Sequence, residues 1–362
     1  MKKWNIFAIA ACAVVALAVT TFGGVHAADK LKIGFVYVGP IGDLGYTYQH
    51  EVGRRALQKA LDDKVETTFL ENVPEGADAE RAIEQLVRAG NKLIFTTSFG
   101  FMDATLKVAN KYPNVFFEHA TGFKRAKNMA TYAARFYEGR YIQGQIAAKM
   151  TKKNVIGYIV SFPIPEVISG INATMLGAQS VNPNVKFKII WVNSWFDPGK
   201  EADAAKTLID QGADILTQHT DSPAAMQIAE QRGIHAFGQS SDMIKFGPHA
   251  QLTADTDYWG DYYIERAKLV LDGKWTSTDT WDGLDKGMVV MAPYTNMPDD
   301  VKAMAMKTEA AIKSGALHPF KCPITAQDGK AVECKGGNRL DNGQILSMNW
   351  YVKGIDDKVP GQ

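Results

Sequence analysis

Beyond its first 27 residues the chain has no apolar run long enough to span a bilayer as a helix. It has no excess of either charge: 40 basic against 39 acidic side chains leave a net charge of +1. That balance removes the electrostatic reason to expect nucleic acid or an anionic membrane as partner. No low-complexity stretch interrupts it. The G-x-S-x-G, H-E-x-x-H and C-x-x-C motifs are absent, and with them the common signatures of serine hydrolases, zinc peptidases and dithiol redox enzymes. Cysteine is scarce, with three in 362 residues, at Cys12, Cys322 and Cys334.

What is present begins with a leader. Lys2 and Lys3 precede an uncharged apolar stretch over 6–22, and Val25-His26-Ala27 follows. This pattern predicts a secretory signal peptide cleaved after Ala27, and hence a periplasmic protein. Ile9-Ala10-Ala11-Cys12 looks like a lipobox, but the apolar run continues past Cys12, so lipidation is the lesser reading. In an oxidising compartment Cys322 and Cys334 are expected to form a disulfide, worth about 2–3 kcal/mol through its effect on the unfolded chain. A zinc site would need two further ligands at metal spacing, so no metal is expected.

From residue 32 onward, short β-branched runs alternate with segments of helical spacing. Strands are predicted at 32–38, 65–70, 93–97 and 115–118, with helices at 48–61, 78–89 and 102–112 between them. The alternation restarts after 140, with strands at 155–160, 186–192, 214–217 and 235–238. Short strands at 251–254 and 288–291 and helices at 259–271 and 299–313 follow. This is the signature of βαβ units and parallel sheets, an α/β protein with two similar units. The late pieces are too few for a third domain, so the chain should cross between units several times. Ligands of such sheets sit beyond the carboxyl ends of the strands.

The ordered segments KIGFVYVGPIGDLGYTYQHEVGRRAL, TTSFGFMDATLKVANKYPNVFFEHATG, AARFYEGRYIQGQIAAKM, VNSWFDPGKEADAAKTLIDQGADIL and FGQSSDM carry a resemblance over nearly the whole mature chain. Together they are similar to the basic membrane protein family of substrate-binding proteins for ABC importers, whose best-understood members bind purine nucleosides. The resemblance implies a type I periplasmic-binding fold: two Rossmann-like lobes joined by three crossovers. We expect one lobe over 28–130 and 254–285, and the other over 131–253 and 286–362. It also implies a small-molecule ligand (a purine base or nucleoside), a membrane permease as partner, no cofactor and a monomer.

By the same resemblance, Tyr46 in GDLGYT and Trp195 in VNSWFDPGK stack on opposite faces of the base, and Asp242 in GQSSDM accepts its hydrogen bonds. Where nucleoside binders hold the ribose, this chain departs: His119 and Thr121 stand near one such place and Asp257 near the other. That favours a free base, adenine above others, because a carboxylate suits an exocyclic amino donor. Asp43 reads as a helix N-cap, with ligand contact as the alternative. Of Phe99 and Phe101, one is expected to line the cleft, Phe101 being the candidate. His119 reads as a satisfied buried histidine or a ligand, and Trp259 and Trp281 as structural.

Three rival readings meet the same residues. The GPIGDLG turn followed by Glu71 approximates a dinucleotide fingerprint, but its glycines are spaced G-x-x-G-x-x-G and Pro40 sits inside the turn. An enzyme is therefore not expected. A type I binding protein for a sugar or other polar solute remains the alternative. A regulator on this fold would need a DNA-binding helix-turn-helix where the leader stands.

Overall fold

The computed structural model describes Met1 and residues 30–361; the expected cleavage site and Cys12 lie outside them. The first six-stranded sheet takes β1 (Leu31–Val36), β2 (Val65–Leu70), β3 (Leu93–Thr96), β4 (Phe116–Ala120) and β5 (Met129–Ala134) from the N-terminal half. Between them run α1 (Tyr46–Leu61), α2 (Ala77–Arg88) and α3 (Met102–Lys111). The second sheet has β6 (Val155–Val160), β7 (Lys186–Trp191), β8 (Ile215–His219), β9 (His235–Ser240) and β10 (Gln251–Asp257). Its helices are α4 (Phe136–Met150), α5 (Pro165–Gln179), α6 (Pro198–Asp210) and α7 (Ala224–Arg232). The chain then returns through α8 (Gly260–Leu271) and β11 (Asp279–Asp282) to the first sheet. It ends in the second with β12 (Val289–Met291), α9 (Asp299–Lys313) and α10 (Asn342–Leu346).

The strand orders are β2-β1-β3-β4-β5-β11 and β7-β6-β8-β9-β10-β12. Every pairing is parallel except β10 with β12. Central strands such as β3 (LIFT) are buried along their whole length, as parallel strands covered on both faces must be. Each sheet has its topological switch beside its first strand, and the crevice beyond the carboxyl ends there is where this architecture places ligands.

Three crossovers join the sheets, at 134–136, 257–260 and 282–289. They bond to one another: the Arg135 amide donates to the Asp282 carbonyl (2.8 Å) and the Tyr258 amide to the Met288 carbonyl (3.0 Å). The Leu284 amide donates to the Glu138 carboxylate at 2.8 Å.

The strands correct the expected lobe limits. Position 130 falls inside β5, and position 254 falls inside β10, which belongs to the second sheet. β5 (MATYAA) is weakly β-branched, and β11 (DTWD) is polar, so neither was predicted from its pattern.

Residues 318–361 form a strap on the second unit. Asn172 of α5 donates to the Trp350 carbonyl (2.7 Å) and accepts from the Val352 amide (3.0 Å). Asp357 accepts from the Ile189 amide (3.0 Å) on edge strand β7. Cys322 and Cys334 are joined, as expected. Asp341 and Gln344 form a capping box that sets α10 in place.

Candidate functional site

Tyr46 opens α1, and Asp43 determines how. Its carboxylate accepts from the amides of Gly45 (3.0 Å), Thr47 (2.9 Å) and Tyr48 (2.8 Å), satisfying the helix's first free donors. The Ile41 amide is held by Glu71 at 2.7 Å, so this acid ties down the turn. The Tyr46 ring meets His50 edge-on at 4.3 Å and is thereby aimed into the crevice. From the other sheet, Trp195 follows β7. Its carbonyl accepts from the Asp221 amide at 2.9 Å, and its ring packs on Phe162 at 5.1 Å.

Tyr46 and Trp195 line one narrow space of about 20 Å³, closed by Ser98, Phe99 and Thr121 from the first sheet. Glu166, His219, Asp221 and Gln239 close it from the second. Most of these stand at or just past carboxyl ends of strands, while Tyr46 and Glu166 stand at the starts of α1 and α5. Several buried polar atoms here have no protein partner: Tyr46 Oη, Trp195 Nε1, His219 Nδ1 and Gln239 Oε1. Buried groups are ordinarily hydrogen-bonded, so this concentration marks a place built for another molecule's polar edge. On the outer side, 260 Å³ of space opens past Val38 and Trp195.

The two sheets touch at this crevice. Ser241 Oγ donates to the Leu44 carbonyl across the seam. At Gly45 the Asp221 backbone approaches so closely that an added Cβ would stand 2.4 Å from its carbonyl oxygen. The structure is thus a closed form.

The seam is acidic. Burial pushes the Asp221 carboxyl well up, and the charges of Asp43, Glu201 and Asp257 push it the same way. Burial raises Asp43 to about 6, against the amides that hold it down. A carboxyl raised on folding means that the folded form binds protons the unfolded chain releases, so this site's contribution to stability falls as pH rises through about 6. We expect the unfolding midpoint to drop between pH 5 and pH 8. Calorimetry across that range should show Asp43→Asn flattening the profile.

Several expected site residues stand elsewhere. Asp242 is exposed and caps a turn, accepting from the Ile244 amide (3.0 Å) and Gln251 Nε2 (2.7 Å). Ser240 has φ 56°, which turns the chain so that Asp242 leaves the crevice. Asp43 acts on α1 and does not line the space. Phe101 is buried in the core with Ile94 and Val108; Phe99 lines the space instead, because the two lie on different sides of one 3-10 turn. His119 is buried with Nδ1 2.9 Å from Thr96 Oγ1, and burial lowers it to about 3, so it is neutral. Asp257 is buried beside Ser240 at the end of β10; it does not line the narrow space, and both its carboxylate oxygens lack a hydrogen-bond partner. Trp259 is structural, stacked on His50 at 4.7 Å. Glu166, His219, Asp221 and Gln239 were missed; for the last three, position at strand ends was the available signal, while Glu166 stands in the first turn of α5.

Two α/β units closing on a crevice of unpaired polar groups and aromatic rings define a two-lobed solute-binding protein. The family model described as ABC transporter substrate-binding protein PnrA-like matches residues 30–317, and the chain belongs to that family. It is 66% identical over 338 residues to a protein of Brucella abortus (strain 2308) named a purine-binding protein, covering 93% of this chain and 96% of that one. A Haloferax volcanii protein named a putative ABC transporter glucose-binding protein is 36% identical over 342 residues, 94% of this chain and 84% of that one. Among solved structures, an ABC transporter solute-binding protein of Aeropyrum pernix K1 superposes with TM-score 0.69 at 19% identity, covering 80% of this chain and 93% of that one. A transcriptional activator of the comK gene from Bacillus halodurans gives 0.67 at 24%, covering 80% and 99%. These two likenesses establish the type I fold and no more. Family membership makes this a binding protein for a small solute, acting outside the cytoplasm with an importer's permease.

Proposed function

We propose that the protein binds a purine, adenine before its nucleoside, between Tyr46 and Trp195, and delivers it as a periplasmic monomer to its permease. The observation that carries this is one ring from each lobe on the same narrow space, bordered by unpaired polar atoms. A purine has two apolar faces and a polar edge. Two rings suit the faces, at about 1–3 kcal/mol per stacked contact. Gln239 Oε1 can accept from an exocyclic amino group. Asp221, whose carboxyl burial raises, lines the same space and can meet the ligand's polar edge. The role expected of Asp242 passes to this pair. With one ring on each lobe, the ligand binds the closed state better than the open one and shifts the hinge equilibrium towards it.

The name of the Brucella relative supports this reading. That of the Haloferax relative favours a sugar, since aromatic rings also stack on pyranoses. A thermal-shift series with adenine, adenosine and glucose separates the two. Adenine should raise the unfolding midpoint most, by mass action on the folded state. A rise with glucose and none with either purine would overturn the assignment.

A further inference from the structure

A larger cavity lies beside the space between the clamping rings. It holds about 530 Å³ on the crossover side and shares Phe99, Thr121 and Glu166 with the clamp, so the two spaces adjoin. Its size is in the range of sites for whole small ligands. Its walls include the first crossover (Arg135, Phe136), β11 (Trp281), the turn after β4 (Phe123), the start of α5 and α10 (Ile345, Leu346). Trp281 is held in place: its Nε1 donates to the Ala134 carbonyl at 3.2 Å, and the Arg135 guanidinium lies 5.5 Å from its ring. α10 lies beyond the 30–317 span that the family model matches, so one wall is an addition of the C-terminal strap.

We infer that this annex is a second subsite, which receives an apolar, ring-sized substituent on the purine held in the clamp. The inference rests on the purine reading above. The aromatic and aliphatic walls supply burial for such a group. The charged lining, Glu166, Asp279 and Asp282 against Arg135, carries an excess of negative charge and disfavours a phosphate. The annex thus separates substituted purines from nucleotides, and α10 sets how large the substituent can be.

Calorimetry with adenine and N6-benzyladenine tests this, on wild type and on two variants that narrow the annex without touching the clamp, Leu346→Trp and Ala133→Phe. Both positions line the annex and neither is fully buried. In wild type the benzyl compound should bind at least as tightly as adenine. Either variant should weaken it tenfold or more while adenine stays within twofold, which also shows that the variant is folded. If adenine binds and the benzyl compound does not, the annex is no subsite and the clamp assignment stands. If neither ligand binds, both readings fall. Benzyladenine affinity unchanged in both variants, or a parallel loss for the two ligands, would equally overturn the proposal.

Discussion

With adenine between the two rings as proposed, Trp195→Ala is expected to lower its affinity by about 30-fold, and Tyr46→Ala by a similar factor. Each deletes one stacked face, and about 2 kcal/mol per face corresponds to that ratio. Neither ring is a keystone of the core. Trp195 is partly buried, packing against Phe162, and Tyr46 against His50. The unliganded variants should therefore keep their circular dichroism, with midpoints within a few degrees of wild type. Tyr46→Phe retains the stack and removes only the unpaired hydroxyl, so its loss should be several-fold smaller. Alanine variants that keep wild-type affinity would remove the clamp from the account.

Gly45→Val is expected to cost more than 100-fold in affinity without touching a ligand atom. The added side chain would grow from a point 2.4 Å from the Asp221 carbonyl oxygen on the opposite lobe. Both sides of that contact are backbone, so nothing nearby can rotate out of the way. The lobes would be wedged open. A ligand that needs the closed form pays for closure out of its own binding energy, and about 2.7 kcal/mol of it is 100-fold. Small-angle scattering should show a wild type that contracts on adding adenine and a variant that does not. A variant that contracts normally would mean that the seam is looser than its geometry indicates.

The α/β class and most helices were legible because their apolar periodicity is strong. Val65–Leu70, Val155–Val160 and Asp299–Lys313 were read to the residue. Strands β5 and β11 were not, since Met, Ala and Asp owe their extended form to neighbours in the sheet. Tyr46 and Trp195 were singled out from the segments around them, and both line the crevice. The carboxylate that lines it was not. Asp221 and Asp242 each follow a strand of the second sheet by two residues, and local pattern cannot say which enters the crevice. The backbone decides, through the positive φ at Ser240 that sends Asp242 outward. Phe99 and Phe101 posed the same problem within one tight turn.

The crossovers leave a further mark on how the molecule fails. They run side by side and hydrogen-bond to each other, as Arg135 does to Asp282 and Tyr258 to Met288. A protease cutting any one of them would leave two intact tethers and the same axis of rotation. A singly nicked molecule should still open, shut and retain its cargo, and migrate as two fragments only once denatured.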